Sequence, residues 1–311
     1  MKLALNSQRQ ESYAGQLARQ LVAQQRYAEA ADAFRLATSD DPHCPEWWLG
    51  LAHCLILQGT HRGAVRALVA ATDLDPGNAE AYNELGCLEK HPRLSEEAFR
   101  AAIAADPVNA LYCANLAVSL FMQWRFDEAE ASFRKAMWLD PDNLCYAIDL
   151  GHMLMELGRF SVAKSIFRRA ARSCRHDAIL VGRAWQLYQE QRYDEADETF
   201  ARRMQTDCDE DIAWAYQGFG LALRKLGENS PAIIAFRAAV SLCPESAVFH
   251  RNLADALSAA NRKGPATAAY ERARQLSSSR GDDPQQGWTI ALRGQDHTAR
   301  HHVRRAAFTR Q

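Results

Sequence analysis

The segment AEASFRKAMWLDPDN, Ala129–Asn143, ends a helical pattern at a proline and is echoed at three other places in the 311-residue chain. AADAFRLATSDDP occupies 30–42, ALVAATDLDPGN 67–78 and EEAFRAAIAADPVN 96–109. Each carries a bulky apolar residue, Phe133, Phe34, Leu68 or Phe99, eight places before a proline, with an acidic residue directly before that proline. Proline lacks the N–H a helix needs and disfavours helical geometry in the residue before it, so each segment marks a helix end. Ends written at a fixed spacing mean that one structural unit is being repeated.

Aligned on these stops, units begin at 11, 45, 79, 110, 144, 177, 213 and 247, with lengths of 34, 34, 31, 34, 33, 36, 34 and 34 residues. The eighth position is always small: Ala18, Ala52, Gly86, Ala117, Gly151, Ala184, Gly220 and Ala254. So is the twentieth: Ala30, Ala64, Ser95, Ala129, Ala163, Ala196, Ala232 and Ala266. The twenty-fourth is always bulky: Phe34, Leu68, Phe99, Phe133, Phe167, Phe200, Phe236 and Tyr270. Small residues let two helices cross closely, and the bulky one fills the gap between neighbouring units. Pro42, Pro76, Pro107, Pro141 and Pro244 close five units, whereas Arg175, Cys208 and Ser278 stand at the other three ends. The third unit is three residues short between Glu89 and Ser95, which predicts a truncated or kinked helix pair there.

The pattern resembles that of the tetratricopeptide repeat family, a helix-turn-helix unit read as W-x2-L-G-x2-Y, then A-x3-F, then P. The resemblance covers residues 11–280 as eight repeats, after a lead-in at 1–10 and before a basic tail at 281–311. It implies an all-α fold, a right-handed superhelical α-solenoid in which first helices line a concave groove and second helices lie outside. Each hairpin would bury its apolar faces only by packing on its neighbours. SSSRGDDPQQG, from Ser277, reads as a linker. The tail beyond it holds Arg293, Arg300, Arg304, Arg305 and Arg310. Its Trp288, Ile290 and Leu292 leave a capping helix open as an alternative to disorder.

In this family ligand-facing residues fall at positions 2, 5, 6, 9, 12 and 13 of a unit. Here they are Leu111, Asn115, Val118, Phe121 and Met122 in the fourth unit, and Ile148, Asp149, His152, Met155 and Glu156 in the fifth. Trp185 and Tyr188 follow in the sixth, and Trp214 and Gln217 in the seventh. So many large apolar side chains on a groove suggest anchors for a peptide or a helix. Core packing is the competing reading for any one of them. The family's carboxylate clamp, a basic site for acidic C-termini, is not spelled out, because Glu80, Asn83, Cys87, Asn115, Cys145 and Asp149 stand at its places. Arg224, Lys225, Arg251 and Asn252 form a smaller polar patch that could take an acidic group or be simply solvated.

A net charge of -1 gives no general attraction to phosphate, and Asp149, Glu156 and Asp255 lie among the groove positions, which argues against nucleic acid. Neither a signal-peptide core nor a bilayer-length apolar run is legible, so a cytoplasmic protein is expected. The eight cysteines contain no C-x-x-C pair and read as buried hydrophobes. His43, Cys44, His53, Cys54 and His61 lack metal-ligand spacing, and no metal or cofactor is expected. No G-x-S-x-G, H-E-x-x-H or phosphate-loop motif occurs, and the repeats leave no room for a catalytic domain, so a non-enzymatic role is expected. The reading is a protein-protein interaction module, an adaptor or chaperone holding a client peptide or helix. A self-associating structural scaffold is the alternative.

Overall fold

The computed structural model describes residues 13–171 and 210–280, together with Arg183, Gln186, Leu187, Glu190, Arg192 and Glu195. Fourteen helices and no strand are found among the described residues. They are α1 (Tyr13–Ala23), α2 (Tyr27–Asp40), α3 (Pro45–Leu57), α4 (His61–Leu74), α5 (Ala79–Leu88), α6 (Pro92–Ala105), α7 (Ala110–Met122) and α8 (Phe126–Leu139). After them come α9 (Leu144–Glu156), α10 (Phe160–Ala171), α11 (Glu210–Lys225), α12 (Asn229–Leu242), α13 (Ala247–Ala259) and α14 (Lys263–Arg280). The chain divides into two compact units, residues 1–129 and 130–311, with α8 running through the boundary.

At three joints a four-residue cassette ends one hairpin and starts the following one. At 75–78, 106–109 and 140–143 it reads Asp-Pro-X-Asn. The N–H of Asp75 still bonds the Ala71 carbonyl, closing α4, and its carboxylate accepts from the Gly77 N–H at 3.0 Å. Asn78 then caps α5 by accepting from the Ala81 N–H at 2.9 Å. Asn109 and Asn143 do the same for α7 and α9. Such caps satisfy backbone donors that a helix start leaves without partners. Within a hairpin the turn is a Schellman-type close. The Thr60 N–H reaches back to the Leu55 carbonyl, and Arg125, Arg159, Glu228 and Arg262 bond Leu120, Leu154, Leu223 and Leu257 in the same way. The third hairpin is the short one. Its α5 has ten residues against thirteen in α3, α7 and α9, and extended His91 leads into Pro92 at the start of α6.

In the first unit each helix from α1 to α7 packs on its successor along the chain, through α6 on α7. In the second unit α9 packs on α10, α11 on α12, α12 on α13 and α13 on α14. Helix α10 packs directly on α11, and α9 also meets α11, so the fifth hairpin touches the seventh.

The diagnostic positions build this core. Every described residue at positions 8 and 20 is buried, and at position 24 Leu68, Phe133, Phe167 and Phe236 are fully so. The side chain at position 24 also explains the small residues. A Cβ on Gly86, Gly151 or Gly220 would come within 2.7, 2.5 or 2.6 Å of the Phe99, Phe167 or Phe236 ring of its own hairpin. Tyr270 is the exception at 43% exposed, with its hydroxyl donating to Asp255 at 2.6 Å.

Candidate functional site

Helix α7 carries the clearest apolar stripe. Leu111, Val118 and Met122 are spaced by seven and four residues and so share one face. Leu111 and Val118 are part-exposed, and Met122 is half-exposed. Phe121 flanks the stripe and stacks on Phe126 of α8 at 5.6 Å between ring centroids. Trp124 sits between the two helices with its ring edge-on to Phe126 at 5.8 Å and 80% of its surface open to solvent.

Trp124 was not among the residues singled out from the sequence, and a large aromatic side chain left open to solvent at a turn is what sets it apart. Its φ is +63°, the left-handed conformation that closes α7, which Gly59, Gly158 and Gly227, and also Gln25 and Asn261, adopt at the equivalent turns. A β-carbon there costs on the order of 1 kcal/mol. A tryptophan placed in solvent at that cost contributes nothing to the core, and Trp is enriched among residues that anchor protein interfaces. The signal available in the sequence was an aromatic residue at the turn position, where Gly59, Gly158, Gly227, Gln25 and Asn261 stand in other units.

Several expected groove residues lie elsewhere. Ile148 is fully buried and Gln217 is 1% exposed, so both belong to the core rather than to an open groove. Asn115 is buried and donates from its side-chain amide to Asn83 Oδ1 at 2.8 Å and to Cys87 Sγ at 3.8 Å. Burial raises the Cys87 thiol above its ordinary value, with nearby Glu84 adding to the shift, so it is a poor nucleophile. Trp214 is part-exposed, edge-on to Phe249 at 4.4 Å, with its indole N–H donating to Glu210 at 3.3 Å. His152 stacks edge-on against Phe167 at 5.1 Å, and Met155 is part-exposed. Trp185 and Tyr188 lie outside the described residues.

The polar patch is partly used up inside the fold. Arg224 reaches Asp255 at 3.4 Å, and Asp255 also accepts from Tyr270, while Lys225 and Arg251 are exposed and Asn252 is part-exposed. No group of three or more His, Cys, Asp or Glu among the described residues is arranged to hold a metal ion, and none of the six described cysteines forms a disulfide. No helix among the described residues is long and apolar enough to cross a membrane.

Comparison with known proteins agrees with this architecture. Family profiles described as "Tetratricopeptide repeat" match residues 21–86 and 90–143, and one described as "Bacterial transcriptional activator domain" matches 153–290. A tetratricopeptide repeat protein from Parabacteroides merdae is similar in structure at a TM-score of 0.57 and 11% identity, over 86% of this chain and 93% of that one. PilW, titled a widely conserved type IV pilus biogenesis factor, gives 0.55 and 19%, over 78% of this chain and 96% of its own. At such identities the likeness is one of fold. No curated protein matches the chain.

Proposed function

Because this chain is a tetratricopeptide repeat protein, built to engage other proteins, we propose that it holds a peptide or amphipathic helix of a client against α7. The observation that carries the reading is Trp124, 80% exposed in a left-handed turn, with its ring against Phe126, which also meets Phe121. Leu111 and Val118 extend the apolar stripe along one helix face, the form of surface into which a client lays side chains spaced one or two helical turns apart. The partner's role would be that of a client, and the chain's that of an adaptor or chaperone.

Peptides selected from a displayed random library against the full chain test this. Trp124→Gly combined with Met122→Ser should weaken the selected peptides at least tenfold, about 1.4 kcal/mol, while melting stays within a few degrees of wild type. If the folded variant keeps wild-type affinity, the client site is elsewhere and this reading fails. Self-association as a scaffold is the second reading, favoured by Trp138, which is 78% exposed on α8. Light scattering over a dilution series separates the two, since a scaffold assembles without any client.

A further inference from the structure

Ion pairs recur at one place between stacked hairpins. Counting from the unit starts above, with the third unit's three-residue gap allowed for, position 21 of one unit meets position 16 of its stacking partner. Glu96 pairs with Arg125 at 2.7 Å and Glu130 with Arg159 at 2.5 Å, each time with the acid at 21 and the base at 16. In the fifth unit the polarity is reversed. Lys164 stands at position 21, and its partner at 2.6 Å is Glu228, position 16 of the seventh unit.

The apolar joint tells the same story. Phe34, at position 24, fills the space of a Cβ on Gly50, position 6 of the next unit, at 2.4 Å. Phe167 does so at Gly218, position 6 of the seventh unit, at 2.2 Å. The Cys145 thiol adds a third tie by donating to Asp211 at 3.4 Å.

Shape alone does not select this neighbour, because the sixth unit also has a glycine, Gly182, at position 6. Charge does. Position 16 of the sixth unit is Arg192, and position 21 is Asp197, which lies outside the described residues. Stacking in chain order would set Lys164 against Arg192 and Asp197 against Glu228. Both contacts join like charges, which is unfavourable at a joint where Lys164 and Glu228 keep only 25% and 40% of their side-chain surface in water. Arg192 instead forms ion pairs within its own hairpin, with Glu195 at 2.5 Å and Glu190 at 3.0 Å.

We propose that the fifth and seventh repeats are stacking partners selected by the reversed Lys164–Glu228 pair, which attracts the seventh repeat and rejects the sixth. The inference rests on the repeat register and these contacts, and is independent of the α7 surface.

Zero-length carbodiimide coupling of the full-length protein should yield a Lys164–Glu228 amide, found by mass spectrometry of the digest. Lys164→Glu and Glu228→Lys should each lower the melting temperature by about 2–4 °C. The double exchange should return it to within about 1 °C of wild type, because the pair is restored with its polarity flipped. A stack in chain order gives the opposite pattern, since each single exchange would then create a matched pair with Arg192 or Asp197 and raise the melting temperature. That result, or the absence of the Lys164–Glu228 crosslink from wild type, overturns the proposal, and the crosslink decides even where a charge variant fails to fold.

Discussion

Asn115 of α7 donates its side-chain amide to Asn83 Oδ1 of α5 at 2.8 Å, and both residues are buried, so two hairpins are joined by a polar contact inside the apolar stack. Low dielectric strengthens such a bond and makes its loss expensive. Asn115→Ala should therefore cost about 1–3 kcal/mol in urea denaturation by orphaning the Asn83 amide. Replacing both residues by leucine should recover most of that loss.

Phe133 is completely buried at position 24 of the fourth unit, where it follows the same packing rule as Phe99 and Phe167. Phe133→Ala is expected to cost about 3–5 kcal/mol, the transfer of a ring plus the cavity it leaves. Denaturant melts read this directly, and a loss below about 1 kcal/mol would contradict the register.

Glu96 gives the stability a pH dependence. Its partial burial disfavours the charged form, but hydrogen bonds from Gln123, Arg100 and Arg125 outweigh that and hold its carboxyl below the ordinary value. A depressed folded value means that the stabilisation is complete above the unfolded carboxylate range, near pH 4.3, and is lost as pH falls through the folded value. Wild type should exceed Glu96→Gln by about 1–3 kcal/mol at pH 7. The gap should close as titration proceeds below pH 4.

Gln217 is 1% exposed, and neither its Nε2 nor its Oε1 finds a hydrogen-bond partner among the described residues. A buried amide in that state is destabilising, and methionine offers similar length without polar atoms. Gln217→Met should raise the melting temperature, by the equivalent of about 1 kcal/mol or more. A fall would show that the amide is paired in solution, by water for example.

Trp124→Gly alone should leave stability unchanged or raise it by up to about 1 kcal/mol, because glycine adopts positive φ without a steric penalty. Chemical denaturation of the single variant checks this. A loss of several kcal/mol would make Trp124 a packing residue after all.

The helical hairpins were legible in the sequence because the features that specify them are local. Proline stops, small residues at 8 and 20 and the bulky residue at 24 each act over one or two helical turns, and the structure buries the small residues and, Tyr270 apart, the described bulky ones. The surface was less legible. Periodicity assigns Ile148, Gln217 and Asn115 to one side of a helix, but whether that side is covered depends on how closely the neighbouring hairpins approach. Here Ile148 has no exposed surface and Asn115 is claimed by Asn83. Trp124 escaped notice for the opposite reason, since it lies in a turn where no helical period applies. The joining of the fifth hairpin to the seventh was beyond a reading that assumed neighbours in sequence, although the reversed charge at Lys164 was in view.

The Asp-Pro-X-Asn cassette has a consequence for how such a protein can change over generations. Four residues both finish one helix and begin the following one, as at Asp75 and Asn78. Any stretch one period long therefore contains one finish and one beginning, wherever its ends fall. A copying error that gains or loses such a stretch between two of these joints leaves the asparagine caps of α5, α7 and α9 in place. Chain length becomes something that can alter by whole layers at a time, and selection is left to adjust only the fit between the layers newly brought together.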